Sequence, residues 1–263
     1  MELKNKKIVV TGGTSGIGLA FAKKLAAIDN QIIIGSRSKE KITEVVKDNK
    51  NISGYQVDVS DQESVERFYK QTISEFKNID IVINSAGIMR HYNLLDEKTT
   101  SQKLQAEIQT NLIGTINIDK IFLPILRKQA ESMIVNISSG LANLSSAAHP
   151  IYSATKAGVH MFTDALREQL HFAGEDHIHI VELVPPLVAE TNLEKDVNSQ
   201  NTPLNIKLSD LINEAIQGIE ENSIRINAGM AKEMRKMGQT DPDKNEREMA
   251  AMMIPMYFPD GLK

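Results

Sequence analysis

Ile8-Val9-Val10-Thr11-Gly12-Gly13-Thr14-Ser15-Gly16-Ile17-Gly18 decides how the rest of the chain is read. Three β-branched residues make a strand, the glycines make a turn, and from Leu19 to Ile28 apolar residues recur at helical spacing. In a strand, turn and helix of this kind, glycine lets the backbone approach a pyrophosphate closely. The helix N-terminus adds free N–H groups and a partial positive charge. Gly12, Thr14, Ser15, Gly16, Ile17 and Gly18 are therefore candidate cofactor contacts. The spacing is G-x-x-x-G-x-G rather than the commoner G-x-G-x-x-G, and a glycine turn alone is a weak signal, so the flanking chain has to carry the rest.

Downstream, strands and helices keep alternating. Gln31 to Gly35 is a second apolar strand, a helix follows from about Ser38 to Lys47, and Ile52 to Val57 is a third strand ending at Asp58-Val59. Ser60-x-x-Glu63 has the form of a capping box for a helix carrying Val65, Phe68, Ile73 and Phe76. Ile79 to Ile83 is the fourth strand and ends in Asn84-Ser85-Ala86-Gly87. One long helical region is expected from about Thr99 to Gln129, Met133 to Ile137 is the fifth strand, and Ile178 to Val184 is the sixth. This alternation predicts an α/β fold built on a doubly wound parallel sheet, where ligands bind outside the carboxyl ends of the strands. Asp58, Val59, Asn84, Ala86, Gly87, Ser139, Pro185 and Val188 follow strand ends and are candidate contacts. In dinucleotide sites an acidic residue about 20 positions beyond the glycine turn holds a ribose 2′-hydroxyl, whereas arginine accommodates a 2′-phosphate. Here Ser36-Arg37 closes the second strand and no acid stands there, which favours NADP(H) over NAD(H).

Composition narrows the function classes. With 263 residues, 41% hydrophobic and 24% charged, the chain reads as one soluble globular unit with a sizeable core. A formal net charge of −4 supplies no basic excess for phosphate neutralisation, which argues against a nucleic-acid partner. The absence of cysteine excludes disulfides, thiolate catalysis and Cys-ligated metal. The first apolar run stops at Thr11-Gly12-Gly13, too soon for a signal-peptide core, and no run approaches the length of a membrane span. A cytoplasmic protein is expected. His177 and His179 share a strand face, but two ligands without a carboxylate cluster do not predict a metal site.

Tyr152-Ser153-Ala154-Thr155-Lys156 carries the candidate chemistry. On a helix, positions four apart share a face, so the Lys156 ammonium stands beside the Tyr152 phenol. A nearby positive charge stabilises phenolate and lowers the phenol's pKa from about 10 toward neutrality, suiting it to exchange a proton with a carbonyl oxygen. Y-x-x-x-K alone more often marks an ordinary surface pair. Asn111, a polar amide among Leu112, Ile113 and Ile116, reads on its own as a satisfied core residue.

Taken together, Thr11-Gly12-x-x-x-Gly16-Ile17-Gly18, Asp58-Val59, Asn84-Ser85-Ala86-Gly87, Asn111, Ser139 and Tyr152-x-x-x-Lys156 resemble the short-chain dehydrogenase/reductase family of classical type, over residues 5 to 190. The resemblance implies a single Rossmann-type domain and a nicotinamide cofactor. It also implies a carbonyl or alcohol substrate and a homodimer or homotetramer joined through the helices around 99–129 and 152–170. It assigns Tyr152 as general acid/base, and Lys156 as the group that lowers its pKa and binds the nicotinamide ribose. Ser139 would polarise the substrate oxygen, and Asn111 would hold a water linking Lys156 to solvent. Ser139 is preferred over Ser138 because its distance from Tyr152 fits the family and strand alternation turns Ser138 the other way. Gly12, Gly16 and Gly18 would meet the pyrophosphate, Asp58 and Val59 the adenine, and Asn84 to Gly87 the adenosine ribose.

Two departures stand out. Ser85 replaces an asparagine whose amide usually ties the central strands, so some loss of stability is expected. Pro186 replaces a glycine after the sixth strand, removing a backbone donor beside the nicotinamide amide. The form Glu182-Leu183-x-Pro185-Pro186-Leu187-Val188 resembles a bacterial subgroup named after teichoic-acid D-alanylation.

Beyond about Thr191 the resemblance fades. Residues 190–222 are expected to form a substrate lid with a helix from Leu208 to Glu220, Ser223 to Asn227 a seventh, edge strand, and 230–263 a C-terminal extension. That extension holds Met230, Met234, Met237, Met249, Met252, Met253 and Met256, a set that suits a substrate pocket, a subunit contact or plain packing on its own domain. A catalytically idle NADP-binding sensor is the alternative to an oxidoreductase, and the complete Asn111, Ser139, Tyr152, Lys156 set argues against it. Extended-type epimerases share the fold but need a larger substrate domain than this length leaves.

Overall fold

The apolar runs pair side by side. β1 (Lys7–Thr11), β2 (Gln31–Ser36), β3 (Ile52–Gln56), β4 (Ile81–Asn84), β5 (Ser132–Ile137), β6 (Ile178–Val184) and β7 (Arg225–Asn227) form one parallel sheet, in the order β3-β2-β1-β4-β5-β6-β7. The computed structural model describes residues 1–188, 190, 191, 193 and 205–262. Both faces of the sheet are covered, which is why its strands are apolar throughout rather than alternating. Ile8, Val10, Ile32 and Ile34 face Phe21 and Leu25 of α1 (Gly16–Ala26) and Leu211 and Ile212 of α7 (Leu208–Glu220). Val9, Ile33, Val82 and Ile134 face the opposite layer, against Phe68 of α3 (Gln62–Phe76) and Ile118 and Phe122 of α5 (Gly114–Leu126). Each fully buried side chain of this size contributes about 1.5–3 kcal/mol over an exposed one.

β1 pairs with both β2 and β4, so the chain winds outward to β3 and then returns to the other side of β1. That reversal opens a crevice beyond the carboxyl ends of β1 and β4. There the two ends nearly touch, because a Cβ on Gly12, whose φ is +66°, would lie 2.9 Å from the Ser85–Ala86 backbone.

Several expectations are revised. The first helix begins at Gly16 rather than Leu19, so the last two glycines belong to its first turn. α2 (Lys39–Lys47) follows Ser38, whose side chain accepts from the Lys41 N–H. Asp61 rather than Ser60 caps α3, accepting from the Glu63 N–H, while Ser60 donates to Asp58. The long helical region expected around 99–129 runs unbroken over 101–126, but a π-helical turn at Gln109–Ile113, which holds Asn111, divides it into α4 (Ser101–Ile108) and α5. α7 lies inside the segment expected to be a lid, but Leu211, Ile212, Ala215 and Ile219 belong to the core. Much of the remaining lid, 189, 192 and 194–204, falls outside the described residues. α6 (Pro150–Phe172) carries the Tyr152 segment, and the methionine-rich extension folds as α8 (Ala231–Thr240) and α9 (Pro242–Tyr257).

Candidate active site

One cavity of about 730 Å³ runs along the carboxyl ends of the strands. At one end Gly12, Thr14, Ser15, Gly16 and Ile17 line it, with Ser36, Arg37, Asp58 and Val59 beyond them. Ser15 sits at the α1 N-terminus with extended backbone and no side-chain cap, leaving the first turn to face the cavity without a competing hydroxyl. Gly16 takes φ +51°, and a Cβ on Gly18 would meet the Gly12 carbonyl oxygen at 2.5 Å. Gly18 thus does not line the cavity but allows the turn to close. Thr14 and Ser36 share a hydrogen bond of 2.8 Å, fixing the turn to the end of β2, where Arg37 is exposed. Asp58 is partly engaged, its Oδ1 accepting from both N–H and hydroxyl of Ser60. A turn with no room for added carbon at Gly12 or Gly18, beside a helix N-terminus, fits a dinucleotide pyrophosphate.

Mid-cavity, Ala86 and Gly87 from the end of β4 approach Tyr152, Lys156 and Ser139. Lys156 Nζ stands 5.5 Å from the centre of the Tyr152 ring and donates to the Ile137 carbonyl at 2.7 Å. Burial pushes the lysine down to about 8, with Glu107 and Glu182 pulling the other way. A Cβ on Gly87 would lie 3.9 Å from that Nζ, so the end of β4 stands directly beside the ammonium. Ser139, at the end of β5, accepts from the Leu141 N–H at 3.2 Å. Ser138 turns its hydroxyl the other way, onto Glu182 of β6. Glu182 is fully buried; burial would raise its carboxyl, but hydrogen bonds from His160, Ser138 and Arg225 outweigh that and hold it below the usual range. Pro185 and Val188 line the cavity after β6, and the Pro185 carbonyl accepts from Gly140 N–H at 2.9 Å.

Asn111 and Asn84 stand outside the cavity lining. Asn111 uses its amide to clasp Ile88, accepting from its N–H and donating to its carbonyl at 2.8 Å each, and reaches Thr155 at 3.2 Å. It joins the π turn to the loop after β4 and to α6. Asn84, expected at the adenosine ribose, is turned inward. Its Nδ2 donates to Asp119 and, at 2.9 Å, to Asn136, and Asn136 donates on to Asp119 and Thr163. Burial pushes the Asp119 carboxyl up to about 7 against those donors. Asn84 therefore ties β4 to β5.

Several lining groups escaped the sequence reading, and two of them bear on the site. His149, at the start of α6, contacts Ser146 through Nδ1 at 3.1 Å and meets the Tyr257 ring edge-on at 4.5 Å. Its position directly before Pro150 was the available signal. The other is Met89, in the loop beyond Gly87. Glu107 lies behind the site, one helical turn before Asn111, a spacing the sequence did show. Its fully buried carboxyl has no partner in hydrogen-bond geometry among the described residues, although Tyr92 and Arg90 stand within electrostatic reach, and burial raises it to about 7. All seven methionines of the extension line the cavity's far end. Among the described residues no group of three or more His, Asp or Glu could hold a metal ion, and no helix is long and apolar enough to cross a membrane.

Comparison with known proteins agrees with this architecture. The sheet and its helices superpose on a short chain dehydrogenase from Burkholderia cenocepacia in complex with NADP, with a TM-score of 0.79 at 23% identity over 95% of this chain and 99% of that one. A Burkholderia phymatum short chain dehydrogenase/reductase in complex with NAD gives 0.77 at 21% identity, over 89% and 93%. Among curated relatives, the uncharacterized oxidoreductase DltE of Bacillus subtilis is 31% identical over 95% of this chain and 98% of its own length, matching the subgroup suggested by the Pro185-Pro186 segment. The 3-oxoacyl-[acyl-carrier-protein] reductase FabG of Thermotoga maritima is 30% identical over 74% and 79%. Residues 6–202 match the family described as short chain dehydrogenase, and the chain belongs to that family of oxidoreductases.

Proposed function

We propose that this protein interconverts a carbonyl and a secondary alcohol with NADP(H), using Tyr152 as general acid/base. The observation that carries the reading is the buried Lys156 ammonium, 5.5 Å from the Tyr152 ring centre, in the wall of a cavity that begins at the glycine turn. The nicotinamide, when bound, supplies or accepts the hydride. Tyr152 donates its proton to the oxygen of the developing alkoxide, and Ser139 steadies that oxygen with a hydrogen bond. Lys156 keeps positive charge beside the phenol, its Nζ anchored on the Ile137 carbonyl. Asn111 acts at one remove, holding the π turn and the Ile88 loop against α6; we assign it the water that connects Lys156 to solvent. In the reverse direction the same groups take the proton from an alcohol.

NADP(H) is preferred because exposed Arg37 closes β2 with no acid at that position. We assign the protein to the cytoplasm and to a homodimer or homotetramer, joined through α4–α5 and α6; the exposure of Met161 and Phe172 on α6 supports that contact face, and sedimentation as a monomer at micromolar concentration argues against it.

The test follows NADPH and NADH oxidation against a panel of carbonyl compounds. Tyr152→Phe should lower turnover by about 10²- to 10⁴-fold while NADPH still binds. Arg37→Ala should erode the preference for NADPH. Equal turnover in the Phe variant sinks the assignment of Tyr152, and a preference untouched by Arg37→Ala sinks the cofactor choice.

A further inference from the structure

The roof of the cavity has an unusual composition. Of the eleven methionines in the chain, eight line this one cavity: Met89 and the seven in the C-terminal extension. On α9, Met249, Met252, Met253 and Met256 stand at i, i+3, i+4 and i+7, a single helical stripe. Met230, Met234 and Met237, at i, i+4 and i+7 along the start and body of α8, form a second. Such stripes usually become core, but these do not. None of the seven is buried, and Met252 and Met256 are 48% and 43% exposed, whereas Met133 in the sheet is 1% exposed. Met252 and Met256 thus face space rather than packed neighbours, and the other five are only partly covered.

The floor beneath them is the catalytic set. Met234 presses on Gly140, the residue after Ser139, and Tyr257 at the end of α9 rests on His149, three residues before Tyr152. Among the described residues polar handles are scarce above that floor. Among the described residues the one charged side chain that α8 and α9 bring to the cavity is Glu248, itself exposed and 3.9 Å from Lys244. A substrate rich in hydroxyl or charged groups would lose its water here and find few partners in exchange. Thioethers, by contrast, are polarizable and unbranched, with three rotatable bonds, and adapt to apolar shapes of varying outline.

The geometry points to a substrate whose reacting carbonyl or alcohol is carried on a flexible, uncharged hydrocarbon body, with the oxygen at Ser139 and Tyr152 and the chain lying along the two methionine stripes. This rests on the oxidoreductase reading above and names its substrate class. The methionines act as an adjustable apolar wall rather than a mould for one shape, so a range of chain lengths should be accepted.

The experiment measures kcat/KM of the full chain with NADPH for methyl ketones from butan-2-one to dodecan-2-one, beside dihydroxyacetone and pyruvate. The expected result is a rise of up to about four-fold per added methylene until the cavity is filled. A flat series, or a preference for dihydroxyacetone or pyruvate, overturns the inference. Met253→Gln keeps the side-chain length but adds an amide, and should cut the ratio of long-chain to short-chain kcat/KM by about ten-fold; Met253→Leu should keep that ratio high. Met237→Gln, on the other helix, is the second variant should the first fail to fold, and NADPH titration of every preparation reports whether the cofactor end is intact. Binding of the apolar dye Nile red is read separately from turnover. If no carbonyl reacts but Nile red binds saturably to wild type and weakly to the Gln variants, the reaction assigned above fails while the apolar site stands. If Nile red does not bind saturably and no chain-length trend exists, the site assignment itself is wrong.

Discussion

The two ends of the cavity are built from opposite materials. The cofactor end is backbone: Gly12, Gly16 and Gly18 fold a turn so tight that a single added carbon on Gly18 would lie 2.5 Å from a carbonyl oxygen. The end proposed for the substrate is side chain: seven methionines, none buried, on α9 and on α8 with its N-cap. Fixed backbone suits a ligand whose pyrophosphate never changes, because shape is then specified once by dihedral angles that only glycine adopts readily. Long thioethers suit ligands whose outline varies. The contrast separates what the fold holds constant from what a family can alter without disturbing the sheet.

The sharpest way to break that contrast is to change one side chain at each end. Gly18→Ala forces the turn open against backbone that cannot swing aside, so about 3 kcal/mol of stability should be lost. NADPH binding should fall with it. Met253→Leu, which changes shape at constant polarity on the roof, should cost less than about 1.5 kcal/mol and leave the cofactor end unaltered. Urea unfolding and NADPH fluorescence titration measure both. Comparable losses from the two substitutions would mean that the roof is packed as rigidly as the turn.

The same division explains what the sequence disclosed. Glycine spacing is a direct trace of backbone constraint, so the turn and the doubly wound parallel sheet were legible in the sequence, as was the one-face pairing of Tyr152 with Lys156; the strand order was not. The inward turn of the Asn84 side chain was not legible, because its direction depends on register. Thr11, Asn84 and Asn136 are partners across β1, β4 and β5, and that adjacency exists only once the sheet has formed. The π turn at Gln109–Ile113 was invisible for another reason: the apolar positions on either side still fit one helical period, so nothing marked the extra residue. The methionines showed their spacing but not whether they faced packed atoms or a void.

Between the two ends stands Lys156, and its titration gives the next prediction. Burial lowers its pKa from the ordinary 10.5 to about 8 in the folded chain. The unfolded chain therefore binds the proton more tightly, and folding stability should rise as pH increases from about 8 to 10.5, by up to ~1.4 kcal/mol per pH unit. That contribution is lost as pH falls through 8. Lys156→Met should flatten this part of the curve in urea titrations at pH 7.5 and 9.5. Carbonyl reduction should move the opposite way, declining above pH 8 as the positive charge beside Tyr152 disappears. A reduction rate that continues to climb through pH 9 would show that the lysine remains charged in the working enzyme.

The smallest expected effect on stability is at the roof, where oxidation tests the contrast without substitution. Hydrogen peroxide converts methionine to a polar sulfoxide, and it should reach exposed Met252 and Met256 long before Met133, which is 1% exposed within β5. Because the two exposed residues pack little, their oxidation should change unfolding free energy by no more than about 0.5 kcal/mol. It should nonetheless lower kcat/KM for long alkyl ketones more than for short ones, since a sulfoxide dipole now faces the chain. Methionine sulfoxide reductase should restore the original ratio. Peptide mass spectrometry follows which residues are modified, and NADPH titration supplies the internal control, because the glycine turn proposed to hold the cofactor has no group that peroxide oxidises. If Met133 oxidises as fast as Met256, the roof is no more open than the sheet. If Met252 and Met256 oxidise fully and the chain-length ratio stays fixed, those thioethers do not meet the substrate, and the contact must come from the methionines deeper in the two stripes.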